Sequence, residues 1–194
     1  MQVKYKGLPV YLIGYSEDSV FNNVSLVEFP AIEQDFLKFS KQEELKFSVD
    51  EEQRVVSGPV MIPDMLIYRK SKNGKEFYVK MESDTIKEFA VEFFRSGREN
   101  EGNVEHQLSV KGVTFFESYI KDGDRNIAPK EFEDLPDGTW FMSAKIENDE
   151  VWEAIKNGEI KGFSIDLRAP IYPEEEQEID SVEELIDYLK QINK

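Results

Sequence analysis

One histidine and one of the serines are the residues that this sequence singles out for hydrolytic chemistry, since its many carboxylates have no spacing that selects a catalytic pair. His106 is the only histidine in the chain, and Ser164 follows 58 positions later. A serine hydroxyl is a poor nucleophile until a base takes its proton, and histidine is the usual base because its pKa lies near neutrality. A Ser–His pair is therefore one hypothesis. Two simpler interpretations stay open: a histidine satisfied by the backbone, and a serine on the solvated side of an edge strand.

Both residues lie in segments with the period of a β-strand. In Gly162-Phe-Ser-Ile-Asp-Leu-Arg168, apolar and polar residues alternate, which predicts a strand with Ser164, Asp166 and Arg168 on one face. Residues 103–110 alternate in the same way, which predicts a second strand with His106 on its apolar face. The pattern indicates which face each residue occupies, but it does not indicate that the two strands are neighbours.

Composition excludes several other chemistries. Cysteine is absent, which rules out disulfides, thiolate catalysis and zinc–thiolate sites, and one histidine cannot form a multi-histidine metal site within one chain. The run Asp122-Gly-Asp124 is only a fragment of a calcium loop and lacks the closing glutamate. No glycine loop of the phosphate-binding type is present. We therefore expect no cofactor and no metal.

The charge balance argues against a nucleic-acid partner. The chain has 24 Lys and Arg against 40 Asp and Glu, a formal net charge of −16, and such a protein repels phosphate backbones. The sequence contains neither a basic apolar leader nor a run of about eighteen apolar residues, so we expect neither a signal peptide nor a membrane span.

The predicted elements are seven or eight strands and three helices. Two helices are predicted at residues 83–96 and 148–157, each ended by a glycine, and a third at 181–193. Asn148 is the predicted cap of the second helix, and the predicted apolar stripe of the first is Ile86, Phe89, Ala90, Phe93 and Phe94. The mixture favours an α+β, mainly β fold, with a closed or nearly closed antiparallel sheet wrapped by helices. We expect one domain over residues 1–173, an acidic linker at 174–180, and a C-terminal amphipathic helix at 181–194 that packs or self-associates.

An ordered set of short motifs resembles the XkdF-like serine proteases of tailed phages. The resemblance runs from about residue 48 to 170 and keeps the order of many motifs, so it is more specific than any one of them. The motifs are Val56-Ser-Gly-Pro-Val-Met-Ile-Pro-Asp64, Ile67-Tyr-Arg69, Phe77-Tyr-Val-Lys80, Asn103-Val-Glu-His106, Glu117-Ser-Tyr-Ile120, Pro136-Asp-Gly-Thr-Trp140, Val151-Trp152 and Gly162-Phe-Ser-Ile165.

The resemblance implies a fold and a catalytic pair. These proteins are related to the prohead proteases, whose fold is similar to herpesvirus assemblin, a small β-barrel wrapped by helices. In that group a histidine and a serine on neighbouring strands form the catalytic core. The matching positions are His106 as general base and acid and Ser164 as nucleophile.

The resemblance leaves the third catalytic member open. Many relatives have a glutamate in a segment after the nucleophile that resembles Asn23-Val-Ser-Leu-Val-Glu-Phe-Pro-Ala31, which here lies before the histidine, so the chain looks permuted. Asn23 stands where their glutamate stands. Asn23 and Glu117 are equal candidates, and Asp166 ranks behind them. Arg168 is a candidate to stabilise the oxyanion.

The implied task is capsid maturation. A serine endopeptidase of this group cuts phage scaffold and major capsid protein segments, and often itself, inside the assembling prohead in the host cytoplasm. Such enzymes assemble or dimerise, so we also expect self-association. Two rivals remain: a catalytically silent head or scaffold protein that keeps the fold, and a carbohydrate-active or surface-binding domain. The latter predicts that His106 and Ser164 lie far apart.

Overall fold

The computed structural model describes residues 2–28, 47–71 and 73–175, and within these ranges the protein is mainly β. The described residues form two α-helices, one short 3-10 helix and thirteen strands. In chain order the elements are β1 (Lys4–Tyr5), β2 (Leu8–Ile13), β3 (Val20–Val27), β4 (Ser48–Asp50), β5 (Val55–Met61), β6 (Ile67–Lys70), β7 (Glu76–Lys80), α1 (Ser83–Arg95), β8 (Gly102–Val104), β9 (Leu108–Val110), β10 (Val113–Ile120), a 3-10 turn (Lys130–Phe132), β11 (Trp140–Ile146), α2 (Asp149–Lys156), β12 (Gly162–Arg168) and β13 (Ile171–Pro173).

The strands form three separate sheets. The first has the order β1-β2-β7-β6, with β13 also paired to β2, the second β10-β11-β5-β4, and the third β12-β3-β8-β9. Most ladders are antiparallel, but β2 pairs with β7 and β3 with β8 in parallel. In the described ranges no sheet closes on itself. The expected closed or nearly closed antiparallel barrel of the assemblin type is therefore wrong. The alternation of apolar and polar residues along a strand predicts which face of the strand is buried, but it does not predict which strand is its neighbour.

The two α-helices lie close to where the sequence predicts them. The buried stripe of α1 is Ile86, Phe89, Ala90 and Phe93, whereas Phe94, expected on the same stripe, is 49% exposed. Asn148 caps α2 as predicted, since its side chain accepts a hydrogen bond of 3.0 Å from the Val151 amide. Neither α1 nor α2 is long and apolar enough to cross a membrane.

The predicted C-terminal helix at 181–194 lies outside the described residues. Of the predicted acidic linker, only Glu174 and Glu175 are described, and both lie against the rest of the protein. The Glu174 carboxylate is 2.6 Å from the Lys80 ammonium, and Glu175 forms a β-bridge with Gln2. The segment that follows β13 therefore begins anchored beside β1 and β2.

An aromatic cluster fills the core between the sheets and α1. Phe93 makes edge-on ring contacts with Phe21, Phe115 and Trp140, and Phe115 also contacts Phe163. Trp140 and Phe93 are fully buried. Edge-to-face pairs of this kind add stability beyond the apolar area that they bury. The cluster fixes the inner faces of β3 and β12, because Phe21 belongs to β3 and Phe163 to β12.

Pairing of β3 with β12 determines which polar residues meet on the opposite face. In this antiparallel ladder Ser164 lies across from Ser25, and Asp166 lies across from Asn23. Directly opposed residues of an antiparallel pair have their Cβ atoms about 4.5–5.5 Å apart, so their side chains are neighbours. Two residues from near the start of the chain are thus placed beside the serine of β12.

Candidate active site

His106 and Ser164 are in hydrogen-bond contact. His106 Nε2 lies 3.0 Å from Ser164 Oγ, within the reach that a base needs to take the hydroxyl proton. Ser164 is 7% exposed, and the strand that carries it is held by the aromatic core. The structure therefore brings together the two residues that the sequence singles out, which is the opposite of what the surface-binding rival predicts.

A tight turn, and not a strand, presents the histidine. The predicted strand over 103–110 is wrong: β8 ends at Val104, β9 begins at Leu108, and His106 lies in the turn between them. Glu105 and His106 have φ angles of 54° and 55°, in the left-handed region that residues with a Cβ seldom adopt. The Glu105 amide donates to the carbonyl of Leu26 at 3.0 Å, and this bond holds the turn against β3.

The second ring nitrogen of His106 faces a buried polar network. Nδ1 lies 2.9 Å from Ser25 Oγ and 3.2 Å from Asn23 Oδ1. Ser25 is fully buried, and its Oγ is also 2.7 Å from Asn23 Oδ1 and 2.8 Å from Asn103 Oδ1. When Nδ1–H donates to Ser25 Oγ, the single hydroxyl hydrogen of Ser25 donates onward to one of the two amide oxygens. This arrangement leaves the Nε2 lone pair directed at Ser164.

The three candidates for the third member have different places in this arrangement. Asn23 contacts Nδ1 directly, as described above. Glu117 lies on β10 in another sheet, and its carboxylate accepts a 2.7 Å hydrogen bond from Ser143. Asp166 is two residues beyond Ser164, and its carboxylate accepts from the Asn22 amide at 3.2 Å. Of the three, the structure brings Asn23 alone into hydrogen-bond contact with the histidine ring.

Sequence reasoning missed Ser25, which makes the shortest contact to Nδ1. It lies inside the motif that singled out Asn23, and with a period of two it shares the Asn23 face of β3. That spacing was the available signal, but a serine among valines and leucines resembles an ordinary strand residue.

The surroundings of the ring lower the pKa of His106 below its ordinary value of 6.5. Partial burial against β3 and β12 is the main cause, because it disfavours the charged imidazolium, although His106 keeps a solvent-exposed side. The negative charges of Asp166 and Glu105 act in the opposite direction, and the positive charge of Arg69 adds to the lowering. At neutral pH the ring is therefore mostly uncharged, which is the form that accepts a proton.

Arg168 lies away from the serine hydroxyl. The ladder between β3 and β12 has one extra residue, Asn22, on the β3 side, so the residues of β12 keep their alternation, and it is distance along the strand that separates Arg168 from Ser164. Arg168 instead lines a cavity of about 380 Å³ together with Arg69 and Asp166. Four residues of extended strand separate the two Cα atoms by about 13 Å, and among the described residues the partner of Ser164 Oγ is His106 and not the guanidinium.

No metal site is present in the described ranges, since no three potential ligands from His, Asp and Glu side chains come together there. The arrangement around Ser164 consists of a hydroxyl, an imidazole and neutral hydrogen-bonding groups. Chemically it can transfer a proton between a serine and an attacking or leaving group.

The chain matches the family model described as "Putative phage serine protease XkdF" over residues 44–172. The chain belongs to the XkdF family. The resemblance seen in the motifs is thereby confirmed, and the words of the family description suggest a hydrolase of the serine protease class. Strand β3, which carries Asn23 and Ser25, precedes the matched region.

A curated relative supports the same assignment. The chain is 31% identical over 148 residues to the "Phage-like element PBSX protein XkdF" of Bacillus subtilis (strain 168), which covers 76% of this chain and 46% of that protein. The chain thus spans about half the length of this XkdF relative. No solved structure matches the chain.

Proposed function

We propose that this member of the XkdF family is a serine endopeptidase of phage head assembly, with Ser164 as nucleophile and His106 as general base and acid. The contact of 3.0 Å between His106 Nε2 and Ser164 Oγ carries the proposal. The hydrogen-bond partners of Nδ1 support the proposal further. Ser25 and Asn23 favour the tautomer with the proton on Nδ1, which leaves Nε2 free to accept a proton.

The reaction follows from this geometry. His106 Nε2 takes the Ser164 hydroxyl proton as Oγ attacks the carbonyl carbon of the scissile peptide bond. The imidazolium then returns that proton to the leaving amine nitrogen as the carbon–nitrogen bond breaks, which leaves an acyl group on Oγ. A water molecule gives a proton to Nε2 and attacks the ester, and the proton passes back to Ser164 as the acid product departs.

The imidazolium is stabilised without a carboxylate in hydrogen-bond contact with Nδ1. Ser25 Oγ and Asn23 Oδ1 are neutral acceptors, and a neutral group stabilises a positive ring less than a carboxylate does. Asp166 supplies a negative charge nearby and acts on the ring through space. Ser25 and Asn23 are positioning residues in this proposal, since they act on the substrate only through His106.

The substrates and setting follow from the family resemblance. We infer that the enzyme cleaves segments of phage scaffold and major capsid proteins, and that it also cleaves its own chain. The cleavage takes place inside the assembling prohead, in the host cytoplasm. Self-association of the protease belongs to the same proposal. Its partners are proteins, and neither nucleic acid nor a membrane takes part.

Co-expression with the scaffold and capsid proteins of its phage tests the proposal. The wild-type protein should produce shortened partner proteins, and Ser164→Ala and His106→Asn should abolish the shortening. Ser143→Ala is the matched control, because Ser143 is also a buried, hydrogen-bonded strand serine and lies on β11 away from the ring. Identical processing by wild type and Ser164→Ala would show that the protein is no protease of these partners.

The neutral surroundings of Nδ1 favour one second candidate, a catalytically silent head or scaffold protein. A fluorophosphonate, which labels only activated serines, distinguishes the two. Labelling of the wild type that is lost in both Ser164→Ala and His106→Asn supports the enzyme, whereas equal absence of labelling in all three supports the silent protein.

A further inference from the structure

A cavity of about 380 Å³ adjoins the strand that carries Ser164. Apolar side chains form much of its lining, among them Ile13, Ile67 and Phe77 from the first sheet and Leu167 from β12. This volume is sufficient for one or two amino-acid side chains. The cavity thus offers an apolar space beside the nucleophile, between the β2-β7-β6 sheet and the second half of β12.

The cavity begins close to the serine along β12. Ile165 and Asp166, the two residues after Ser164, both line it. Asp166 is two positions further along an extended strand, which corresponds to about 7 Å. A peptide that is bound in extended form with its scissile carbonyl at Ser164 Oγ therefore carries a side chain to the cavity from within about two residues of the cleaved bond.

Among the described residues that line the cavity, arginines outnumber carboxylates. Arg69 and Arg168 line it together with one carboxylate, Asp166. The Asp166 carboxylate also accepts a hydrogen bond from Asn22, and Arg69 donates to the carbonyl of Tyr68 at 2.9 Å. In the part of the chain that the structure describes, no carboxylate lies within ion-pair distance of Arg168. This local balance contrasts with the formal charge of −16 for the whole chain.

We propose that this cavity is a specificity pocket that binds an acidic side chain of the substrate, within about two residues of the cleaved bond. The planar guanidinium is well suited to pair with a carboxylate through two parallel hydrogen bonds. The apolar walls pack against the methylene groups of the bound residue. The proposal rests on the proposed peptidase function, because it takes Ser164 as the point of cleavage.

Binding to the Ser164→Ala protein tests the pocket without turnover. The probes are four acetylated and amidated hexapeptides of alanine that differ only at the third position, which is Glu, Gln, Leu or Lys. Titrations followed by NMR report the affinity and the shifts of the Arg69 and Arg168 Nε–H signals. We expect the Glu peptide to bind about tenfold more tightly than the Gln peptide, the factor typical of one charge-assisted hydrogen-bonded contact, and to shift both signals.

Two further variants test whether Arg168 is responsible for the preference for the Glu peptide. Arg168→Gln in the Ser164→Ala background should remove most of the preference for Glu, whereas Arg125→Gln should leave it unchanged, because Arg125 is an exposed loop residue outside the cavity. The proposal is overturned if none of the four peptides binds, if the Gln, Leu or Lys peptide binds as tightly as the Glu peptide, or if the preference survives in Arg168→Gln.

Failure of the pocket and failure of the peptidase proposal give different results. Loss of the Glu preference with intact Ser164-dependent processing overturns only the pocket. Conversely, a Glu preference in the binding assay with no Ser164-dependent processing supports an acidic-peptide site and overturns the peptidase. Where processing occurs, mass spectrometry of the new termini should find an acidic residue within two positions of each cut.

Discussion

Replacing Ser25 by alanine removes the oxygen atom nearest to His106 Nδ1. The hydroxyl is 2.9 Å from Nδ1, and the next acceptor, Asn23 Oδ1, is 3.2 Å away. A hydrogen bond to a charged group contributes about 1.5–3 kcal/mol, and the imidazolium is charged in the transition state. Every 1.4 kcal/mol is tenfold, so kcat should fall by about 10- to 150-fold. KM should change little, because Ser25 acts on proton transfer and not on substrate binding.

The same substitution should lower stability. Ser25 is fully buried and lies within hydrogen-bond distance of the side chains of Asn23 and Asn103. Alanine leaves one of these half-buried amide oxygens without its hydrogen-bond donor, at a cost of about 1–3 kcal/mol in the free energy of unfolding. Denaturant titration measures this loss, and the kinetic assays belong at a temperature where the variant is still folded.

NMR of the histidine ring measures directly whether Ser25 determines the tautomer of His106. His106 is the only histidine, so its two ring ¹⁵N signals need no assignment by mutation. In the wild type above the pKa of His106, Nδ1 should carry the proton and Nε2 should be the acceptor. In Ser25→Ala the proton should be shared between the two tautomers, because Nδ1–H has lost its best partner. Ser143→Ala, a buried serine on another strand, should leave both signals unchanged.

Two outcomes would refute this reasoning. A wild-type spectrum with the proton on Nε2 would mean that the ring donates to Ser164 and cannot act as its base. A Ser25→Ala protein with the wild-type tautomer and the wild-type kcat would mean that Ser25 only fills space. The NMR result is available whether or not a substrate has been found.

Three other predictions follow from the same structure. The acid limb of the pH profile of kcat/KM should lie below pH 6.5, since the lowered pKa of His106 keeps the ring neutral at lower pH; a limb above 6.5 contradicts the burial argument. Asn23→Asp should move that limb to higher pH, because a carboxylate beside Nδ1 favours the imidazolium and raises its pKa; an unchanged limb would mean that residue 23 does not act on the ring. Phe93→Ala should lower the free energy of unfolding by about 3–5 kcal/mol, measured by denaturant titration, because it leaves a cavity beside Trp140; a loss below about 1 kcal/mol would contradict the described core.

Features that depend on local sequence could be predicted. The stripe of α1 follows from residues spaced three and four apart, and the Asn148 cap follows from an amide side chain before an amphipathic run. The pairing of Ser164 with His106 could be proposed because the chain contains one histidine and because both residues stand in motifs that resemble those of the XkdF family. These inferences needed no knowledge of which strands are neighbours.

Features that depend on strand pairing could not be predicted. The position of Ser25 across from Ser164 is a matter of register between strands that are far apart in sequence. Glu117 was a candidate because it follows His106 closely in the sequence, yet β10 belongs to another sheet. The alternation of apolar and polar residues over 103–110 predicted a continuous strand. The turn could not be predicted, because its left-handed positions hold Glu105 and His106, whereas glycine is the residue that usually indicates such a turn. The closed barrel was wrong because closure depends on which strands are neighbours, and none of the sheets closes on itself within the described residues.

The pairing of β3 with β12 has a consequence for when the protein can act. Ribosomes add residues from the N-terminus, so Val20–Val27 exists long before Gly162–Arg168 is made. The nucleophile, and its place across from Ser25, therefore arise only when β12 has emerged and docked. Until then the nascent chain holds a histidine turn with no hydroxyl to activate. Under the proposed function, an unfinished chain therefore lacks its nucleophile until β12 has paired with β3.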